Sequence, residues 1–146
     1  MENRESKDGP RDSYHLEKAL SRINERFLEN GAKTVTANDV ERVMREADRL
    51  RKMFSDAEPL QRLASDLEVF LSLINDHWNR QYSDVPYSTI AEMVFTLIYV
   101  LSPVDLIPDA IPGVGHLDDA AIVSLCLVTT EKELASYQAW KTIQAS

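Results

Sequence analysis

The chain has 146 residues, 44% of them hydrophobic and 27% charged, a balance that fits one soluble globular domain with a real core and excludes a disordered chain. Its formal net charge of −8 at pH 7 argues against a general nucleic-acid binder, which concentrates positive charge. The single cysteine, Cys126, excludes an internal disulfide and fits a reducing compartment.

In chain order, residues 1–11 are charged, carry no apolar signal segment and read as a disordered tail, so the expected location is cytoplasmic. Asp12 or Ser13 can cap a first helix with Leu16, Leu20, Ile23 and Phe27 on one face, ended by Gly31. A second helix starts near Thr36 and carries the stripe Val40, Val43, Met44, Ala47 and Leu50. Its basic side chains Arg42, Arg45, Arg49 and Lys52 alternate with Glu41, Glu46 and Asp48, which reads as a solvated, ion-paired face. These two helices, residues 12–55, form an extension packed on a main helical domain over residues 56–146.

Ser55 and Glu58 have the spacing of a capping box for a third helix, with the stripe Leu60, Leu63, Leu67, Phe70, Leu71, Ile74 and Trp78. After a turn at Tyr82–Pro86, a fourth helix to about Leu101 is apolar nearly all round. A fifth begins near Asp118, and the Thr130–Glu133 box breaks or restarts it before Leu134, Tyr137, Trp140 and Ile143. No strand alternation competes with this pattern. The expected fold is therefore all-α: a compact bundle of five or six helices around a central apolar hairpin. Helices apolar on every side are either the buried centre of a bundle or inserted in a membrane. The uncharged runs Met93–Val104 and Ala120–Thr130 are shorter than the ~20 residues a bilayer requires, so a buried core is expected, with membrane association as the lesser alternative.

The crossover between those helices, SPVDLIPDAIPGVGHLDD, places three prolines, two glycines and four aspartates in residues 102–119. Proline removes a backbone donor and breaks regular helix. Ser102 followed by Pro103 and Asp105 has the order of an N-cap, a first-turn proline and an acid near the third helical position. On this reading Pro108, Pro112, Gly113 and Gly115 shape the turn, and Asp105, Asp109 and either Asp118 or Asp119 satisfy stranded helix donors. The sharper alternative gathers Asp105, Asp109, Asp118 and Asp119 around a hard cation such as Ca²⁺ or Mg²⁺, with His116 tilting preference toward a transition metal. Its premise is electrostatic: no Lys or Arg occurs from Gln81 to Glu131. A metal-dependent hydrolase on the same aspartates is the weaker form of that alternative, because adjacent residues at a helix start point in different directions. No phosphate loop, nucleophile elbow or paired-histidine helix accompanies them, and no catalytic residue is assigned. His15 and His77 read as surface or packing residues. Trp78, Tyr82, Tyr99, Tyr137 and Trp140 are expected to form an aromatic cluster joining the hairpin to its neighbours.

Residues 99–123, with Tyr99, Ser102-Pro103, Asp105-Leu106-Ile107-Pro108-Asp109, Ile111-Pro112, Gly115 and Leu117-Asp118-Asp119, resemble the signature of the YkvA family, a bacterial family of unknown function. The similarity extends back to Asp76, Tyr82 and Val85-Pro86 and forward to Tyr137 and Trp140-Lys141. His116 departs from the small or apolar residue of the pattern. The resemblance implies a compact helical domain, sometimes membrane-associated, with no established activity or cofactor. A related segment attached to ubiquitin-ligase-type RING proteins favours an interaction role by analogy. The expected function is a non-catalytic interaction or regulatory module with a protein partner and no nucleic acid; a metal-dependent module and a membrane-peripheral adaptor are the alternatives.

Overall fold

A computed structural model describes residues 17–18, 20–102 and 116–145. The described residues contain helices and no strand, as the periodicity predicts. After helical residues around Leu20 come α1 (Glu25–Ala32), α2 (Ala37–Arg45), α3 (Ala47–Asp56), α4 (Glu58–Gln61), α5 (Ala64–Trp78), α6 (Tyr87–Leu101), α7 (Leu117–Thr129) and α8 (Glu131–Ala145).

Three helices expected to be continuous are divided. The first stops near Arg22 and restarts at Asn24, whose side-chain oxygen accepts the Phe27 N–H at 2.9 Å and caps α1. Gly31 lies inside α1 and does not end it. Its role is close approach: a Cβ there would fall 2.2 Å from the Phe95 ring. The second helix splits at Glu46 (φ −99°, ψ 20°), although its carbonyl still accepts from Leu50 and the apolar stripe continues. The Ser55–Glu58 capping box does not form, because Ser55 sits within α3 and extended Ala57 begins α4 without a side-chain cap. Pro59 occupies the first turn of α4, where its missing N–H has no intrahelical partner to lose. A reciprocal box forms instead at Thr36 and Asp39. The break expected at Thr130 is present, with its hydroxyl donating to the Cys126 carbonyl at 2.7 Å.

Helix α6 is the axis of the bundle and contacts α1, α2, α3, α5 and α7. Ile90, Met93, Val94, Leu97, Tyr99, Val100 and Leu101 are all buried along it, which explains its apolar residues on every side. Leu28 of α1, Val40 and Val43 of α2 and Leu50 and Phe54 of α3 belong to the same buried core. Burying each large aliphatic or aromatic side chain contributes about 1.5–3 kcal/mol before entropy is charged against it. The outer face of α2 and α3 is ion-paired, as its composition suggests, mostly between residues three or four apart, with one pair reaching across to α5. Arg51 bridges Asp48 at 2.8 Å and Glu68 of α5 at 2.7 Å, and Lys52 meets Asp56 at 2.8 Å.

The end of α5 is closed by two backbone hydrogen bonds, Gln81 N–H to Asp76 O at 2.8 Å and Arg80 N–H to His77 O at 3.1 Å. This is the Schellman pattern, which normally places glycine at the left-handed position. Here Arg80 holds that position at φ 61°.

Candidate functional site at the two ends of the hairpin

The sequence-derived carboxylates straddle the crossover between α6 and α7. Pro103, Asp105, Pro108, Asp109, Pro112, Gly113 and Gly115 lie outside the described residues, so the geometry concerns Tyr99, Ser102, His116, Asp118 and Asp119. Ser102 ends α6 in extended backbone (φ −75°, ψ 138°). His116 occupies the N-cap position of α7 in the left-handed region (φ 67°) without a side-chain cap bond. Asp118 and Asp119 therefore do not cap α7. They fall in its first turn, where a negative charge is favoured by the helix dipole.

Both aspartates are buried, each 1% exposed. Their side chains diverge as the helix geometry requires. The Tyr99 hydroxyl donates to Asp118 Oδ2 at 2.8 Å, tying the start of α7 to the last turn of α6. Asp119 Oδ2 lies 2.8 Å from His116 Nδ1; a carboxylate only accepts, so that ring nitrogen carries the proton. The two carboxylates thus address different partners, one across to α6 and one within the start of α7. Among the described residues no group of three or more His, Cys, Asp and Glu is arranged to hold a metal ion.

Cationic side chains from earlier in the chain line two clefts at the start of α7, together with the carboxylates Asp56 and Glu58. His116 lines a 550 Å³ cleft with Arg49, Lys52 and Asp56 of α3. Arg62 lines another with Leu117 and Ala120 of α7. A stretch without cations in the sequence is thus flanked by them in space.

A second carboxylate, Asp76 of α5, anchors α8. Tyr137 O–H donates to Asp76 Oδ2 at 2.6 Å and Lys141 Nζ approaches the same oxygen at 2.8 Å. Tyr137 is also hydrogen-bonded to Ser72, which must donate because the tyrosine proton is already given to Asp76. Burial pushes the Asp76 carboxyl up, but the hydrogen bonds from Lys141 and Tyr137 and the Lys141 charge outweigh it and hold the group below the usual aspartate range. The aromatic cluster around this latch comprises Tyr82, Tyr137 and Trp140, with ring centroids 4.8–5.8 Å apart. Two of the aromatics expected in it are elsewhere: Tyr99 packs edge-on to Phe27, and Trp78 is 39% exposed.

Cys126 is fully buried, and burial pushes its thiol up to about 12, which leaves it inert rather than nucleophilic. Glu92 on α6 is half-buried beside the charges of Glu29, Glu133 and Glu25; burial first, then those neighbours, raise its carboxyl against one hydrogen bond from Thr129.

No helix among the described residues is long and apolar enough to cross a membrane. A family described as a protein of unknown function (DUF1232) matches residues 89–125, the stretch that holds most of α6, the crossover and the first part of α7. Over 75 residues the chain is 32% identical to a Bacillus subtilis (strain 168) protein named "Uncharacterized membrane protein YkvA", covering 51% of this chain and 71% of that relative. No solved structure matches the chain. With the hairpin, its paired aspartates and this extent of similarity in hand, the chain belongs to the YkvA family of proteins of unknown function.

Proposed function

We propose that this protein is a non-catalytic interaction or regulatory module in which Asp118 and Asp119 fix the geometry of the hairpin. The observation that carries this reading is the burial of both carboxylates against donors from their own hairpin. Each aspartate commits its Oδ2 to a donor of the hairpin itself, Tyr99 for Asp118 and His116 for Asp119, which is the use expected of a carboxylate that holds two segments together. Breaking such a charge-assisted bond costs about 1.5–3 kcal/mol. The test is thermal unfolding of chelator-stripped protein with Ca²⁺, Mg²⁺, Mn²⁺ or Zn²⁺, beside Asp118→Asn and Asp119→Asn. The expected result is an unmoved wild type and early melting of both variants. A cation at a hundred times its dissociation constant would add ~2.7 kcal/mol; such a shift, lost in folded variants, would instead make the aspartates ligands.

Peripheral membrane association is a second reading, favoured by the name of the Bacillus subtilis relative. It rests on surface contact, since no described helix can span a bilayer. Flotation with liposomes would support it, and full recovery of the unmodified chain in the soluble fraction would remove it.

A further inference from the structure

At the other end of α6 from Asp118, about 18 Å away along the helix axis by the 1.5 Å rise from Tyr87 to Tyr99, the end of α5 and the starts of α2 and α6 enclose a 650 Å³ cleft. That volume is in the range of small-molecule sites. Val40 and Ile90 give it an apolar floor, Trp78 and Tyr87 stand beside them with 39% and 53% of their surfaces exposed, and Arg80 and His77 supply its polar edge. Among the described residues no carboxylate lines the cleft, which is notable in a chain with a net charge of −8.

Three observations converge on this place. Trp78 and Tyr87, which line the same cleft, are two of the four large hydrophobic residues left exposed among the described residues. Among the described residues, the side chains of Arg80, His77, Trp78 and Tyr87 have no hydrogen-bond, ion-pair or ring partner, so the polar edge and the aromatic wall of the cleft are both uncommitted. Finally, Arg80 holds the left-handed position of the Schellman turn, where a side chain costs energy that glycine would not. Strained positions of this kind cluster at ligand sites, and here the strain sets a guanidinium at the edge of an aromatic cleft.

We propose that this cleft binds an amphipathic anion, a carboxylate or phosphate head on an apolar or aromatic body. The head meets Arg80 and His77, the guanidinium fork matching the oxygens of either group. The body lies against Trp78, Tyr87, Val40 and Ile90. The site is independent of the hairpin carboxylates, so the two proposals stand or fall separately.

The experiment uses the full chain, calorimetry and tryptophan emission, with octyl phosphate below its micelle concentration as probe. Neutral octyl glucoside and inorganic phosphate test tail and head alone. Octyl phosphate is expected to bind saturably and to change the emission, with each partial probe at least about tenfold weaker, the effect of one lost interaction of ordinary strength. Arg80→Gly is the informative variant, because the left-handed backbone favours glycine and the fold is retained. It is expected to weaken octyl phosphate at least about tenfold with no loss of melting temperature. Vesicles of phosphatidylcholine with about 30% phosphatidylglycerol identify the source of the head group. Vesicle binding that octyl phosphate displaces assigns it to lipid, and octyl phosphate binding without vesicle binding assigns it to a soluble anion. Equal affinity for octyl glucoside, unchanged affinity in folded Arg80→Gly, or no saturable binding of octyl phosphate would overturn the proposal.

Discussion

Replacing Asp76 with asparagine isolates the latch that holds α8 to α5. The substitution keeps the shape but removes the charge that Tyr137 and Lys141 both address at Oδ2. The buried tyrosine bond to an ionised acceptor accounts for about 1.5–3 kcal/mol, while the Lys141 pair, whose lysine is 51% exposed, adds only ~0–1 kcal/mol. Asparagine recovers part of the hydrogen bonding, so a net loss of about 1–3 kcal/mol is expected at neutral pH. For a domain of this length that lowers the melting temperature by roughly 2–4 °C per kcal/mol. The pH dependence follows from the depressed carboxyl of Asp76 in the fold. A group whose folded pKa lies below its unfolded value contributes stability that is fully present above the unfolded pKa, ~3.9 for aspartate. That contribution is lost as pH falls through the lower, folded value. Urea unfolding followed by circular dichroism from neutral pH into the acid range should show the gap between wild type and Asp76→Asn constant above about pH 5 and closing below about pH 4. A gap that is the same at every pH, or smaller than about 0.5 kcal/mol throughout, would refute the latch.

Gly31→Ala places a methyl group against the Phe95 ring; overpacking of about 1–3 kcal/mol exceeds the ~1 kcal/mol gained in helix propensity. Urea melts should show a net loss that shrinks in a Phe95→Leu background, and equal losses in both backgrounds would reject the contact. Glu92→Gln should stabilise the protein at neutral pH, because burial and the neighbouring glutamates raise that carboxyl and so disfavour its charge in the fold. The raised folded pKa means that this penalty is absent below the unfolded pKa and grows as pH rises through the folded value, so a benefit that persists unchanged in acid would contradict it. Cys126, buried with its thiol pushed up to about 12, should resist a disulfide-exchange reagent in the native protein and react at once in guanidinium; fast native labelling would show that α7 opens.

The helical class and the central position of α6 were legible because apolar residues on every side of a short helix have nowhere to go but a core. The subdivision of the helices was not, since Glu46 and Arg62 sit in stripes whose periodicity continues across each break. The cap at Thr36 and Asp39 uses aspartate where the usual box has glutamate, and the Schellman turn carries Arg80 in place of its expected glycine. The aspartates of the hairpin were visible as residues but not as contacts. Tyr99 and Asp118 are 19 positions apart, and only the return of α7 along α6 brings them together. The cations near His116 come from α3, far earlier in the chain, so a sequence window around the hairpin could not show them.

The central claim is that the hairpin carboxylates are fasteners, and the Tyr99–Asp118 bond is where it is most exposed to test. A double-mutant cycle with Tyr99→Phe, Asp118→Asn and the pair, measured by urea unfolding in chelator, reads the coupling directly. The account predicts destabilisation by each single substitution and a coupling of about 1–3 kcal/mol. Additive losses within ~0.3 kcal/mol, with Asp118→Asn as stable as wild type, would contradict it.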